Sequence, residues 1–179
     1  MMELTVNNKE LQLKFNFSSL SLWEEKILDS EGNKQDDAEM FDAIFTGLVQ
    51  KSPRMLVNII NGGLAYLKND KPSYSEVFDA VSELMGSEGV DKLAQDLMAE
   101  LTANGFFKGS MKQWINSIKR QIKGYDKFFK ELKKPAKSAT PEEKKNYQQM
   151  VRRYQLLKDQ SKPLLDEFDK MLKDTETTL

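Results

Sequence analysis

Apolar side chains recur along this chain with two periods, and the switch between them sets out its elements. At the N-terminus the period is two. Leu4 and Val6 alternate with polar neighbours, Asn7-Asn8 suits a tight turn, and Leu11, Leu13, Phe15 and Phe17 alternate again. The pattern predicts a β-hairpin over residues 3–17 with one apolar face, which needs a cover. Beyond it the period becomes helical. Ser18 or Ser19 is expected to cap a short helix bearing Leu20, Trp23, Ile27 and Leu28, the natural cover for the hairpin. A polar loop over residues 29–37 ends in an N-cap aspartate, and Met40, Phe41, Ile44, Phe45 and Leu48 form the next stripe. Ser52-Pro53 opens a helix through Leu56, Ile59, Ile60 and Leu67, with Gly62-Gly63 inside it as a mark of close packing or a kink. Ser73 and Glu76 make a capping box ahead of Val77, Phe78, Val81, Leu84 and Met85. After Gly86 to Gly89 comes the stripe Leu93, Ala94, Leu97, Met98 and Leu101. Asn104-Gly105 is expected to stop it, with Gly105 in the left-handed C′ position and Phe106 folded back on Leu101.

The remaining chain reads as two long helices. Ser110 and Gln113 form a second capping-box pattern, and Met111, Ile115, Ile118, Ile122, Tyr125, Phe129 and Leu132 keep an a/d heptad register up to Pro135. Thr140-Pro141-Glu142-Glu143 is the strongest helix start in the chain. Tyr147, Met150, Tyr154, Leu157, Ser161, Leu164, Phe168 and Met171 again step by three and four. Two such helices joined by a short polar connector predict an antiparallel αα-hairpin. Pro163 should kink or split the second helix, and residues 174–179 should fray. The fold class is therefore α+β, mostly α: an N-terminal β-hairpin packed on a small helical domain, followed by a long antiparallel αα-hairpin.

Charge sharpens this division. Residues 1–107 carry 9 basic against 18 acidic side chains, and residues 108–179 carry 18 against 10, so a net charge of −1 hides halves of −9 and +8. We divide the chain at 108: an acidic core over 1–108 and a basic-then-neutral extension over 109–179. The opposite signs would let the halves dock on one another, within a chain or between copies, in a salt-sensitive way. The excess is local, since 108–137 hold ten Lys/Arg against only Asp126 and Glu131. For this helix, 110–134, a solvated face ranks first, docking to an acidic protein surface second and nucleic acid third, because no reading motif accompanies the charge.

Composition narrows the chemistry further. There is no cysteine, hence no disulfide or thiolate, and no histidine, hence no usual general base near neutral pH and no Ser-His triad. Adjacent carboxylate pairs such as Glu142-Glu143 point about 100° apart on a helix and do not make a two-carboxylate site. The acidic loop lacks the glycine and bidentate glutamate that an EF-hand places in register. We expect no catalytic residue, no cofactor and no metal site, and we read the chain as a non-enzymatic interaction protein. No 18-residue apolar run or leader pattern is present, so a cytoplasmic protein without a membrane span is expected. Core packing is the first reading for the heptad aromatics. Trp114 and Phe128 lie beside the seam, and with Ile118, Tyr154 and Phe168 they are the candidate partner-binding residues.

One resemblance gives these readings a direction. Met2-Glu-Leu-Thr-Val-Asn-Asn-Lys-Glu-Leu-Gln-Leu-Lys-Phe-Asn-Phe17, Ile44-Phe-Thr-Gly-Leu-Val49, Lys71-Pro-Ser-Tyr-Ser-Glu-Val77 and Leu101-Thr-Ala-Asn-Gly-Phe-Phe-Lys108, in this order, resemble the phage tail assembly chaperones of phages and prophages from Gram-positive bacteria. The resemblance covers roughly residues 1–108. It implies a non-enzymatic chaperone of the host bacterial cytoplasm. Such a chaperone holds the tape-measure protein and helps recruit tail-tube subunits, and the family often comes in a short form and a frameshifted long form. The contrasting reading is a nucleic-acid-associated phage or host protein using helix 110–134.

Overall fold

Asn7 and Asn8 both adopt positive φ, 51° and 62°, the requirement of the two-residue type I′ loop that matches strand twist. They join β1 (Glu3–Val6) to β2 (Lys9–Gln12) with Val6 opposite Lys9 in a computed structural model that describes residues 2–28 and 31–176. Leu4, Val6, Leu13 and Phe15 point into the core, the last two from extended chain beyond β2. Phe17 does not continue that face. It is the first residue of α1 (Phe17–Lys26) and is 76% exposed. The cap is Asn16 rather than Ser18 or Ser19. Its side chain accepts from Ser18 N–H at 2.8 Å while its own N–H donates to Ser19 Oγ at 3.1 Å, so Ser19 fills the role glutamate usually plays in the box. Trp23 and Ile27 cover the hairpin as expected, whereas Leu28 is exposed.

Asp36 caps α2 (Asp37–Val49), accepting from Glu39 N–H at 2.9 Å. Helix α3 (Pro53–Gly63) starts with proline at its first position and is the hub, with Leu56, Val57, Ile59 and Ile60 wholly enclosed. It stops at Gly63, short of Leu67, and a 3-10 segment (Ala65–Asp70) follows. The two glycines serve close approach: a Cβ built on Gly62 would overlap the Trp23 indole, and one on Gly63 would crowd Phe15 at 3.1 Å. Trp23 is fixed there by its Nε1–H donating to Asn58 O at 2.9 Å.

The Ser73–Glu76 box opens α4 (Tyr74–Glu88), which runs through Gly86. The break is Gly89 alone, at φ 90°, where a side chain would be strained. Helix α5 (Val90–Ala103) then meets α6 (Gly105–Glu131) with a single residue between them. Here the expected glycine stop is corrected. Gly105 has no positive φ; it is the first residue of α6, and Asn104, extended at φ −87° and ψ 117°, caps both helices. Its Oδ1 accepts from Phe106 N–H at 3.1 Å and its Nδ2 donates to Phe15 O at 2.6 Å. Asparagine thus satisfies the new helix and ties the joint to the hairpin strand, so no left-handed glycine is needed. Phe106 accordingly sits in the first turn of α6 against Phe17 and Phe41, and the Ser110–Gln113 pattern falls inside α6 instead of starting it.

Helix α7 (Pro141–Glu176) begins with the reciprocal Thr140–Glu143 bonds and returns antiparallel along α6. It does not split at Pro163, an exposed position where the carbonyl left without its partner can meet water. Of the end expected to fray, α7 includes residues 174–176, and 177–179 lie outside the described residues. Near the connector the helices are pinned by Lys158 Nζ on Asp126 at 2.5 Å, and Tyr154 stacks on Phe128 with centroids 3.9 Å apart. At the other end α7 packs on α5 and α2, so the hairpin's base shares one core with residues 2–103.

Two outcomes follow from this packing. Gly62→Ala should destabilise the protein by about 1–3 kcal/mol through overpacking against Trp23. Gly86→Ala, in open helical space, should be neutral or stabilising by up to about 1 kcal/mol in the same urea titration. The hydrogen bond from Lys158 holds the Asp126 carboxyl below its usual range. A depressed carboxyl stabilises fully above its unfolded value of about 3.9, and that contribution is lost as pH falls through the folded value. Near-UV circular dichroism of the Tyr125–Tyr154 end should therefore hold from pH 7 to about 5 and weaken below about 4, whereas Asp126→Asn should weaken it already at neutral pH.

Candidate functional site

An aromatic chain leads from the surface to the base of the helical hairpin. Phe17 and Phe106 each follow closely on an asparagine cap, which brings them side by side at 5.5 Å, 76% and 46% exposed. Phe106 reaches Phe41 at 6.3 Å, Phe41 stacks on Phe45 at 5.7 Å, and Phe45 meets Trp114 at 5.7 Å. Trp114 in turn packs on Phe168 at 4.8 Å, and its Nε1–H donates to Asp42 at 2.7 Å.

Beside this chain α2, α6 and α7 stand apart and leave an open cleft of about 1050 Å³. Phe41, Trp114, Ile118 and Leu164 supply its apolar lining. Gln35, Glu39, Gln113, Gln121 and Gln160 supply polar groups, and Tyr125 and Leu157 lie toward the connector. The lining is mixed, with apolar side chains interleaved among amides, hydroxyls and charged groups, a make-up that suits an amphipathic helix more than an apolar ligand. Gln35 Oε1 is enclosed and accepts no hydrogen bond among the described residues, which leaves one acceptor at the cleft open to a donor.

The candidate residues from the sequence separate into two groups. Trp114, Ile118 and Phe168 are buried, at 5%, 5% and 0% exposure; edges of Trp114 and Ile118 reach the cleft, and Phe168 lies beneath it. Phe128 and Tyr154 are half-buried on each other near the connector, where Tyr154 also meets Tyr125 at 6.0 Å. The heptad pattern did not single out Phe17 and Phe106 as a surface pair. The signal that finds them is the short step from Asn16 to Phe17 and from Asn104 to Phe106, since residues just inside an N-cap emerge at the helix mouth.

Glu39, Asp42, Arg120 and Asp159 border the cleft, whereas the charged groups with shifted titration stand away from it. Lys51 bridges Asp91 at 2.5 Å and Glu167 at 3.4 Å, clamping α5 and α7 to the α2–α3 turn; its ammonium is raised by the Asp91 bond and the Asp91 carboxyl lowered by the same bond. Glu76 is lowered by its bonds to Ser73 and Asn7, a capping role. Lys71 is lowered by burial and donates to Asn61 Oδ1 at 2.7 Å. Among the described residues no group of His, Cys, Asp or Glu is placed to hold a metal ion, and no helix is long and apolar enough to cross a membrane. The arrangement offers surface and shape for binding.

Comparison with known proteins agrees with the sequence resemblance. The family model described as "Phage tail assembly chaperone protein, TAC" matches residues 3–116, from the first strand to just beyond Trp114. No match was found among curated proteins or among solved structures. The family match takes in most of the chain, including the aromatic path from Phe17 to Trp114, all of α2 and the first part of α6, and on that ground this chain belongs to the phage tail assembly chaperone family.

Proposed function

We propose that the protein holds helical segments of the tape-measure protein in the host bacterial cytoplasm and helps bring tail-tube subunits to them during tail assembly. It acts by binding alone, without catalysis or cofactor. The observation that carries this reading is the cleft between α2, α6 and α7, whose lining residue Phe41 packs on the exposed Phe106–Phe17 pair. A tape-measure protein is long and largely helical, and an amphipathic helix needs a lined trough of this kind. The volume suits a few turns of side chains along one face, a scale consistent with reversible holding.

In this reading residues 1–108 are the chaperone body and residues 109–179 an arm completing the cleft. Phe128 and Tyr154 extend its apolar track toward the connector, while Trp114, Ile118 and Phe168 shape it from beneath. A nucleic-acid role for helix 110–134 has no observation in its favour: the helix face toward the cleft carries Ser, Gln and aromatic groups with Arg120 among them, not an extended aromatic-basic platform.

The test is co-expression with fragments of the cognate tape-measure protein and with the tube subunit. Ser117→Trp fills the cleft from a half-buried position, and Phe106→Asp charges its outer end at an exposed one, so both variants should keep the parent melting temperature within a few degrees. Each should lower retention of a bound fragment at least about tenfold, the size expected for losing one anchoring contact of about 1.4 kcal/mol. Full retention in both variants would remove the cleft from the account.

A further inference from the structure

The mouth of α3 opens on a second cavity, of about 600 Å³, which shares no lining residue with the cleft. Lys26 and Leu28, at and just past the end of α1, border it together with Ser52, Arg54, Met55 and Asn58 from the start of α3. Helix α3 begins there without a side-chain cap. Ser52 holds the N-cap position but its hydroxyl makes no capping bond. Pro53 has no N–H, and the Arg54 and Met55 N–H groups find no acceptor among the described residues.

Asn58 is the deeper donor. It is 8% exposed and still lines the cavity. Its main-chain carbonyl accepts from Trp23 Nε1–H at 2.9 Å, and its Oδ1 accepts from the Tyr74 hydroxyl at 3.1 Å. Both oxygens are thereby engaged, the amide is oriented, and its Nδ2–H₂ group has no acceptor among the described residues. A buried amide donor is unfavourable until something accepts from it.

The charge around these donors has one sign. Lys26 and Arg54 are exposed and form no ion pair among the described residues, and no carboxylate is among the lining side chains. Lys71 lies near enough for its ammonium to be lowered by burial first and by the Lys26 charge second. This cluster of cations sits on a body whose residues 1–107 carry 9 basic against 18 acidic side chains, so it is a local exception to the charge around it.

We infer that this cavity is a carboxylate-binding site for an acidic peptide segment of a partner protein. Arg54, Lys26, the Asn58 amide and the open N–H groups of α3 receive a glutamate or aspartate, and a neighbouring apolar side chain lies on Leu28 and Met55. Donors gathered at a helix mouth select an anion. Lining then chooses among anions. A free phosphate would leave Leu28, 42% exposed, and Met55 uncovered, whereas an acidic residue beside an apolar one uses both parts of the wall. Bonds from N–H groups to a carboxylate are about twice as strong as neutral ones, so a single acidic side chain supports a weak, exchangeable contact. The site is separate from the cleft and does not rest on the client reading.

The experiment is a nuclear magnetic resonance titration of the nitrogen-15-labelled full chain. The probes are the blocked tetrapeptide acetyl-Ser-Glu-Leu-Ser-amide, its Ser-Gln-Leu-Ser counterpart, and inorganic phosphate at equal ionic strength. The Asn58 side-chain amide and the Arg54 and Met55 backbone amides should shift saturably with the glutamate peptide. The glutamine peptide and phosphate should each bind at least about tenfold more weakly. Arg54→Gln and Lys26→Gln, both at exposed positions, should each weaken the glutamate peptide about fivefold. Lys9→Gln, the same charge change at an exposed position on the hairpin, should leave its affinity within about twofold. The spectrum of each variant shows that its fold is kept. Phosphate binding as tightly as the glutamate peptide would make this a phosphate site and overturn the inference. So would equal binding of the two peptides, equal effects of Lys9→Gln and Arg54→Gln, or no saturable shift at Asn58 up to about 10 mM peptide.

Discussion

The seating of Trp114 between Phe45 and Phe168 determines how everything after residue 104 relates to everything before it. A heptad pair of this length could pack on itself and leave residues 1–104 alone. Instead its base enters the common core, because the indole is enclosed between a side chain of α2 and one of α7 while Asp42 takes its N–H. Truncating a buried tryptophan of this kind costs about 3–5 kcal/mol, whereas an exposed ion pair contributes about 0–1. Apolar contact therefore holds the arm, and the charge division between the two parts is left free for partners outside the molecule.

Asn104 sets the angle of that arm. With one extended residue between α5 and α6, and its amide donated to the Phe15 carbonyl, the start of α6 is referenced to the hairpin strand. The cleft wall is thereby built on fixed elements, which lowers the ordering cost of binding. Restraint fades toward the connector, where the helices meet through half-buried aromatics and the Asp126–Lys158 pair. The base is held by wholly buried side chains and the connector end by half-buried ones.

Much of this was legible in the sequence wherever the signal is local. The Asn7-Asn8 turn, the Ser73–Glu76 and Thr140–Glu143 boxes, the proline starts and the paired heptads depend on neighbours a few residues apart, and each appears as expected. Signals that compete with a distant partner misled. Asn104-Gly105 looks like a glycine stop until the Phe15 carbonyl is seen to hold the asparagine, and Phe17 continues the strand alternation until Asn16 caps a helix beneath it. The cleft had no local signature at all. It arises where α2 and the distant α6–α7 pair stand apart, and the burial of Trp114, Ile118 and Phe168 follows from the contact of the same three helices beside it.

The most direct test of the account is hydrogen exchange on the full chain with and without a helical tape-measure fragment. The free protein should show α2 and the first half of α6 protected to a similar depth, since they share one core, with α6 and α7 exchanging faster toward the connector. Adding the fragment should slow exchange along 38–46, 113–125 and 157–164, the three stretches that border the cleft. Slowing confined to the lysine face of α6 or to α4, or a fragment that binds while these three stretches exchange as before, would contradict it.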